Sequence, residues 1–292
     1  MQRLIMEELR EKYDYEPFAD TEEYRQVNGD CIHSWVELMK KKGTNSIDAI
    51  LDIATGAGTM VQIVFDYLPE SWRKAAVMCL DQSGEALKIA QSKLEKTVER
   101  LKLVHSSVED MTLDDQSIDF AVWGNGIHYL SEQDQLDSVK RIKEALKPGG
   151  FFFFNTAFYE EARPIETLPF YRTQVKTAVQ YLRDRGVSRL KDDSRTEASK
   201  FLPRAYYEDL VQKSGFKLFE AKEFAVDMKR EAWEYISSFQ QYAAGALRGY
   251  PVDEAVRAMR EAVQPALELH GERDSDGNLY ITRKWLAISS QV

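Results

Sequence analysis

The chain has 292 residues, of which 43% are hydrophobic and 30% are charged, as expected for a globular protein with a sizeable core. Its formal net charge of −9 disfavours a nucleic-acid-binding scaffold, because neutralising phosphates requires a basic face. No run of about 18 apolar residues is present, and the first residues include acidic side chains without a long apolar core. We therefore predict neither a membrane span nor a signal peptide.

The cysteines and histidines show no pattern typical of disulfides or metal sites. Two cysteines, Cys31 and Cys79, are too few for a disulfide framework, and the second lies in a predicted buried strand. None of the four histidines has metal-ligand spacing with these cysteines. We predict a cytoplasmic protein without a metal.

Apolar side chains recur at helical spacing in two parts of the N-terminal region, at residues 4–9 and 32–39. An aromatic-rich joint that includes Tyr24 lies between them. Lysines and a glycine at residues 40–43 favour the end of the second helix, as its dipole and C-cap prefer. Residues 1–45 are therefore predicted to form a helical flap in front of the remaining fold.

Residues 46–158 alternate between apolar runs and helical patterns. The runs predict strands at residues 49–53, 75–80, 101–104, 118–123 and 151–156. The intervening segments carry apolar residues at helical spacing, and one begins at Ser131 with a pattern like a capping box. Five strand–helix repeats joined by short turns predict a doubly wound, mainly parallel α/β sheet.

This alternation ends after residue 158. Residues 159–202 predict a cap insertion, residues 203–229 a core helix and strand, and residues 230–278 a second, helical cap insertion. Residues 279–292 predict the last core strand, which completes a seven-stranded sheet. Within the first insertion and just beyond it, residues 183–204 are mildly basic but interrupted by acids, which favours a solvated loop over a contact with an anionic substrate.

A loop of small residues follows the first predicted strand. Ala54, Gly56 and Gly58 lack bulk, so backbone N–H groups can approach a ligand closely. A dinucleotide fingerprint needs a third small residue, where this chain has Val61. The carboxylate of Asp52 at the strand end is poorly suited to a pyrophosphate and better suited to a ligand with positive charge.

Polar residues at the next strand ends extend this crevice. Asp81 ends the second strand, where a carboxylate can accept both hydroxyls of a ribose. Ser107 and Val108 follow the third strand and offer hydroxyl and backbone groups to an adenine edge. Either Asp52 or Asp81 alone is more often a helix cap, but the set of strand ends in register favours a ligand site.

These features resemble the class I S-adenosylmethionine-dependent methyltransferases, most closely the small-molecule branch that includes the ubiquinone/menaquinone-type enzymes. The resemblance covers residues 45–158 strongly and the chain from residue 203 more loosely. It rests on the loop at residues 52–58, on Asp81 and on the segments at residues 122–129 and 146–150. The family more often has glycine at the position of Ala54, and often an acid at that of Ser107.

The resemblance implies a Rossmann-like methyltransferase fold with S-adenosyl-L-methionine as the cofactor. Together with the motifs, it predicts these cofactor contacts: Tyr24, Asp52, Ala54, Thr55, Gly56, Gly58, Asp81, Gln82, Ser107, Val108, Gly124 and Asn125. Asp52 is expected on the amino-acid side of the cofactor and Asp81 at its ribose, with Tyr24 as a lid contact.

His128, after the fourth strand, has two interpretations. It is the candidate catalytic residue, as a general base for an acceptor that is not already ionised, because an ordinary histidine pKa lies near neutrality. It is equally compatible with a hydrogen-bonded structural histidine, which is the interpretation we prefer.

The predicted caps are rich in aromatic residues. We expect most to form the caps' own cores and a few to line an acceptor pocket over the C-terminal edge of the sheet. This predicts a small, substantially apolar methyl acceptor. The Trp-Gly-Asn-Gly sequence at residues 123–126 lacks the Pro-Pro turn of methyltransferases that modify exocyclic amino groups. The atom methylated, oxygen, nitrogen or carbon, stays open, as does assembly into homo-oligomers.

Two other functions are compatible with the sequence. A nicotinamide-dependent oxidoreductase would share the sheet, but Val61 opposes it. A non-catalytic module that binds S-adenosylmethionine would share the cleft, but the elaborate caps favour a substrate chamber.

Overall fold

The computed structural model describes residues 14–190 and 200–292. The predicted helical segment at residues 4–9 lies outside the described residues. Residues 191–199, which belong to the mildly basic stretch at residues 183–204, also lie outside them.

Helices and strands alternate through the first half of the chain. The helices are α1 (Glu16–Ala19), α2 (Glu22–Lys41), α3 (Thr59–Tyr67), α4 (Gly84–Leu94), α5 (Glu132–Ala145), α6 (Leu168–Asp184), α7 (Arg204–Lys213), α8 (Arg230–Ser238), α9 (Gln240–Ala246), α10 (Val252–Glu261) and α11 (Val263–His270). The strands are β1 (Ala49–Ile53), β2 (Ala76–Asp81), β3 (Leu101–His105), β4 (Ile118–Gly124), β5 (Leu146–Thr156), β6 (Lys217–Lys229), β7 (Glu272–Arg273) and β8 (Leu279–Gln291).

The strands form one mixed sheet in the order β3-β2-β1-β4-β5-β8-β6. The neighbours from β3 to β5 pair in parallel, whereas β8 runs antiparallel to both β5 and β6. The prediction of a doubly wound, mainly parallel sheet is confirmed. The short strand β7 pairs with β8 beside the seven-stranded path. Because β1, β2 and β4 are parallel neighbours, their C-terminal ends meet at one edge of the sheet.

The segment at residues 146–150 is part of β5 rather than a turn before it. The pairing of β4 with β5 shifts register between Ile118 and Phe120, which accommodates the extra residues. Lys147 Nζ lies 2.9 and 3.0 Å from the two carboxylate oxygens of Asp119. Asp119 in turn accepts backbone N–H groups at the start of β1. This motif therefore fixes the edge of the sheet opposite the loop after β1.

Helix α2 packs against the sheet as part of the core. The Trp35 indole stacks on the Phe153 ring of β5, with centroids 5.1 Å apart and planes 8° from parallel. Gly29 lets α3 approach, because a Cβ at this position would lie 2.8 Å from the Tyr67 hydroxyl. Thr21 caps the N-terminus of α2 by accepting the Tyr24 N–H. This packing places Tyr24 above the C-terminal edge of the sheet.

Helices α6 and α8–α11 pack on one another, and their aromatic residues share a hydrophobic cluster with α1, α2, β6 and β8. Phe170 of α6 and Trp233 of α8 are completely buried, with ring centroids 4.8 Å apart. A buried hydrogen bond of 2.8 Å joins Gln174 to Ser237 between the same two helices. Many cap aromatics are therefore structural.

No helix among the described residues is both long and apolar enough to cross a bilayer. Within the same ranges, no group of three or more histidine, cysteine or acidic side chains is arranged to hold a metal ion.

Candidate functional site

A cleft of about 520 Å³ opens at the C-terminal ends of β1, β2 and β4. The predicted cofactor contacts that line it are Tyr24, Ala54, Thr55, Gly56, Asp81, Gln82, Val108, Gly124 and Asn125. Four other predicted site residues do not line it: Asp52, Gly58, Ser107 and His128. Its volume is in the usual range for a small-molecule or cofactor site.

The loop after β1 has a left-handed backbone at three positions. The φ angles are 53° at Ala54, 54° at Gly56 and 81° at Gly58. The Thr55 N–H donates to the Leu80 carbonyl of β2 at 3.0 Å, which ties the loop to the neighbouring strand. Gly58 lies behind the loop, where a Cβ would come 2.9 Å from the Leu94 side chain. Gly58 thus permits close helix packing, while Ala54, an L-residue, adopts a strained conformation.

Asp52 lies beneath this loop and is 1% exposed. Its Oδ2 accepts a 2.5 Å hydrogen bond from the Thr55 hydroxyl, and its Oδ1 has no partner among the described residues. Burial raises the pKa of Asp52 to about 7; the Thr55 hydrogen bond opposes the rise, and the nearby charge of Asp81 adds to it. When ionised, Asp52 makes the potential behind the loop negative, which favours a cationic ligand in front of it.

Asp81, at the end of β2, lines the cleft directly. One carboxylate oxygen accepts the Gly56 N–H and the other accepts the Ser83 N–H, each at 2.8 Å. Burial raises the pKa of Asp81, while these backbone hydrogen bonds oppose the rise. Each oxygen retains acceptor capacity, so the carboxylate can also receive the two hydroxyls of a ribose.

The side chain of Ser107 is used within its own turn. Its hydroxyl donates to Asp110 Oδ2 at 2.8 Å and accepts the Asp110 N–H at 3.1 Å. Val108 and Glu109 line the cleft instead. Of the two residues predicted after the third strand, Val108 lines the cleft and Ser107 does not.

Asn125, after β4, organises the centre of the cleft. Its φ of 46° is tolerated by asparagine, and its Oδ1 accepts the Ala157 N–H at 2.8 Å. Its Nδ2 donates to the Tyr15 hydroxyl at 2.9 Å. The Asn125 N–H donates to the side-chain oxygen of Asn155 at 3.0 Å. The contributions of Tyr15 and Asn155 were missed, because neither residue belongs to a local motif.

Helix α1 brings an aromatic wall over the cleft. Tyr15 packs edge-on against Phe239, with ring centroids 4.9 Å apart, and both residues line the cavity. Lys93 of α4 holds α1 in place through ion pairs of 2.7 Å with Glu16 and 2.8 Å with Asp20. The wall therefore combines the N-terminal region with the cap.

His128 lies behind the cleft and is 3% exposed. Its Nδ1 is 3.1 Å from the Thr156 hydroxyl, its Nε2 has no partner among the described residues, and its ring stacks on Phe158 at 4.1 Å. Burial lowers the pKa of His128 well below the usual range, and the charge of Arg283 adds to this effect. His128 does not line the cleft, and its lowered pKa makes the imidazole a weak proton acceptor, which favours the structural interpretation.

Comparison with known proteins agrees with this geometry. A family model described as a methyltransferase domain matches residues 50–150. The malonyl-[acyl-carrier protein] O-methyltransferase of Priestia megaterium is 25% identical over 139 residues, which are 46% of this chain and 45% of that protein. This chain thus matches less than half the length of that relative. The chain carries a class I S-adenosylmethionine-dependent methyltransferase domain.

Other similarities extend beyond this methyltransferase domain. An uncharacterized methyltransferase of Geobacillus is 22% identical over 223 residues, covering 76% of this chain and 89% of that protein. The YcgJ protein of Bacillus subtilis has a TM-score of 0.53 and 17% identity, covering 89% of this chain and 98% of that one. The [4+2]-cyclase SpnF has a TM-score of 0.52 and 12% identity, covering 92% of this chain and 81% of that one. At such identities, the two solved structures show a shared fold only.

The methyltransferase domain takes S-adenosylmethionine as its cofactor, and the cleft residues fit it. The loop after β1 can present backbone N–H groups to a carboxylate, and Asp81 can receive ribose hydroxyls. The unpartnered Oδ1 of Asp52 supplies negative potential on the side of the cationic groups. A pyrophosphate would meet this same potential unfavourably.

Proposed function

We propose that this protein transfers the methyl group of S-adenosylmethionine to a small, substantially apolar acceptor bound beneath the cap. The observation that carries the proposal is the position of the cleft. The loop after β1 faces Phe239, which precedes the cap helix α9, and Gln241 and Ala244 of that helix. Cofactor contacts and cap residues therefore enclose one space.

When bound, S-adenosylmethionine supplies an activated methyl group. The electron pair of its carbon–sulfur bond passes to sulfur as the acceptor atom attacks the methyl carbon. The protein's part is alignment and exclusion of water. The loop at residues 54–58 and Asp81 hold one side of the cleft. Tyr15 and Phe239 close another side with apolar ring faces, and Asn125 fixes the Tyr15 hydroxyl.

We further propose that His128 supports the wall of the acceptor pocket and is not a general base. Its ring contacts Thr156 and Phe158 and does not line the cleft, and its low pKa makes it a weak proton acceptor. The acceptor atom then reacts without a proton transfer to this residue.

Calorimetric titration of the full chain with S-adenosylhomocysteine tests the cofactor site. We expect a dissociation constant in the micromolar range, and at least tenfold weaker binding for Asp81→Ala, because this change removes charge-assisted hydrogen bonds. Asp66→Asn, at an exposed position, is the matched control and should bind normally. Binding of NADH in place of the nucleoside would instead support the oxidoreductase alternative.

Turnover separates an enzyme from a non-catalytic binding module. The full chain is incubated with S-adenosylmethionine and a panel of small apolar alcohols, phenols, amines and acids. Formation of S-adenosylhomocysteine that depends on an acceptor and is lost in Asp81→Ala would support the proposal. Tight nucleoside binding without turnover on any compound would favour the module.

A further inference from the structure

A second cavity of about 510 Å³ lies on the other side of α9. Gln241 of this helix lines both the cofactor cleft and this second cavity, which we call the cap chamber. Four cationic side chains line the chamber: Arg163, Lys200, Arg248 and Arg283. No acidic side chain among the described residues lines it. The chamber is therefore strongly electropositive for its size.

Arg283 is the most deeply placed of these cations. It projects from β8, is 3% exposed, and donates from Nη2 to the Ala157 carbonyl at 2.6 Å. Its guanidinium carbon lies 5.1 Å from the Phe158 ring centroid and 5.9 Å from that of Tyr171. It forms no ion pair with a carboxylate in the described part of the chain. A buried charge without a counter-charge is costly, unless a ligand supplies one.

Arg163 reaches the same aromatic side chains from the segment after β5. Its guanidinium carbon lies 4.2 Å from the Phe201 ring centroid and 5.4 Å from that of Tyr171. Its Nε is buried without a hydrogen-bond partner in residues 14–190 and 200–292. Burial and the charge of Arg283 both lower the pKa of Arg163, which shows that the two cations interact unfavourably.

The Tyr171 ring lies close to both of these arginines. Its hydroxyl is buried and has no well-formed hydrogen bond within the described ranges. Burial raises the pKa of Tyr171, and the charges of Arg283 and Arg163 oppose the rise, so the phenol stays protonated and able to donate. The Arg163 Nε and the Tyr171 hydroxyl thus lack a protein acceptor within the described ranges. Together with the Arg283 guanidinium, which also reaches the Tyr171 and Tyr242 hydroxyls, they form a set of donors that suits a carboxylate.

Besides Gln241, which lines both cavities, backbone hydrogen bonds of Ala157 link residues of the chamber and the cleft. The Ala157 N–H donates to Asn125 Oδ1 of the cleft, and the Ala157 carbonyl accepts from Arg283 of the chamber. Tyr129 of the cleft lies 6.4 Å from Phe158 of the chamber, measured between ring centroids. A ligand anchored in the chamber therefore lies next to the cofactor cleft.

We propose that the methyl acceptor carries a carboxylate, which Arg163 and Arg283 bind, while its apolar body lies among the aromatic rings of the chamber. This inference rests on the proposed methyl transfer and names its substrate class. The carboxylate serves as the anchor that sets the distance between the cofactor and the atom to be methylated. The acceptor is thus an apolar acid rather than a neutral apolar molecule.

A matched pair of probes tests the charge requirement. The full chain, saturated with S-adenosylhomocysteine, is titrated calorimetrically with 2-naphthylacetate and with its neutral analogue 2-naphthylacetamide. We expect the carboxylate to bind at least tenfold more tightly than the amide. Equal affinities, or no binding of either compound at millimolar concentration, would overturn the proposal.

Variants test the two arginines separately. Arg163→Gln and Arg283→Gln should each weaken 2-naphthylacetate binding at least tenfold and leave the amide within twofold, and Arg283→Lys should restore part of the loss. Arg257→Gln, at an exposed position of α10, removes the same charge outside the chamber and should change nothing. An equal loss in Arg257→Gln would show a nonspecific charge effect and contradict the proposal. Because Arg283 is deeply buried, the half-buried Arg163 keeps the test decisive if Arg283→Gln does not fold.

S-adenosylhomocysteine affinity, measured in the same variants without a probe, separates the two proposals. Normal nucleoside binding without a preference for the carboxylate would refute the anionic anchor and leave methyl transfer standing. If the nucleoside does not bind, methyl transfer fails, and the naphthyl pair titrated alone still decides whether the chamber selects an anion.

Discussion

The side-chain amide of Asn155 donates a 2.7 Å hydrogen bond to Asn28 Oδ1, and so joins the end of β5 to helix α2. Asn28 donates onward to the Tyr24 carbonyl at 2.8 Å, and the Asn155 oxygen accepts the Asn125 N–H. Both asparagines are completely buried. This chain of amides therefore fixes Tyr24 and Asn125 relative to each other across the cofactor cleft.

Removing Asn155, the centre of this set of hydrogen-bonded amides, should affect both the stability of the protein and its binding of S-adenosylhomocysteine. Asn155→Ala leaves Asn28 Oδ1 buried without its donor, and we expect the free energy of unfolding to fall by about 2 kcal/mol. S-adenosylhomocysteine binding should weaken several-fold, because Tyr24 and Asn125 lose their fixed positions. Urea denaturation and calorimetry measure the two effects.

The matched control is Asn45→Ala, at an exposed position. It should change neither the denaturation midpoint nor the nucleoside affinity. If Asn155→Ala proves no more harmful than Asn45→Ala, the amide chain does not support the site.

Asp52 should make the protein less stable as the pH rises. Its pKa is about 7 when folded, against an ordinary value of 3.8, so between these values the folded state holds a proton that the unfolded state has lost. The resulting penalty is absent below pH 3.8 and complete above pH 7. Asp52→Asn removes it, so the variant's stability relative to the wild type should be higher at pH 8 than at pH 4, by roughly 3 kcal/mol.

Urea denaturation without cofactor at the two pH values measures this difference. Asp66→Asn, at an exposed position, serves as the control for the loss of a carboxylate. A relative stability of Asp52→Asn that does not change with pH would show that Asp52 is ionised in the folded protein throughout this range.

The main features of the fold and one wall of the site could be predicted from the sequence, because they depend on local order. Strand, small-residue loop and helix are contiguous around Gly56, and parallel pairing brings the ends of β1, β2 and β4 to one edge. Asp81 is thus placed by its position in a strand.

The remaining contacts could not be predicted because they join distant segments. Asn155 and Asn28 are separated by 127 residues, and Arg283 and Ala157 by 126. Neither pair leaves a local pattern. The aromatic composition of the caps also does not place Arg163 and Arg283 beside the aromatic rings. Periodicity also cannot show that the Ser107 hydroxyl is hydrogen-bonded within its own turn or that Asp52 does not line the cleft.

Ala54 adopts a backbone conformation that suits glycine better. Its φ of 53° costs an L-residue about 1 kcal/mol or more, so Ala54→Gly should raise the free energy of unfolding by about 1 kcal/mol. Ala57→Gly in the same loop is the matched comparison, because Ala57 has no positive φ and its buried methyl group would be lost.

Thermal and urea denaturation of both variants test whether the two substitutions change the stability in opposite directions. We expect Ala57→Gly to lower the stability by about 1 kcal/mol, and Ala54→Gly to bind S-adenosylhomocysteine as well as the wild type. A loss of stability in both variants would mean that the backbone at Ala54 is not strained.

His128 should give stability the opposite pH dependence from Asp52. Its pKa is lower in the folded protein than the ordinary 6.5, so below pH 6.5 the unfolded chain takes up a proton that the folded chain does not. The protein should therefore lose stability as the pH falls from 6.5 towards the folded pKa, and His128→Gln should abolish this loss. Nitrogen NMR of the ring should show a neutral imidazole at pH 5.5, with the His128→Gln spectrum used to assign its signals. A protonated His128 at that pH would contradict the structural role. It would show an imidazole that is accessible to solvent and has an ordinary pKa, as a general base at the cleft requires.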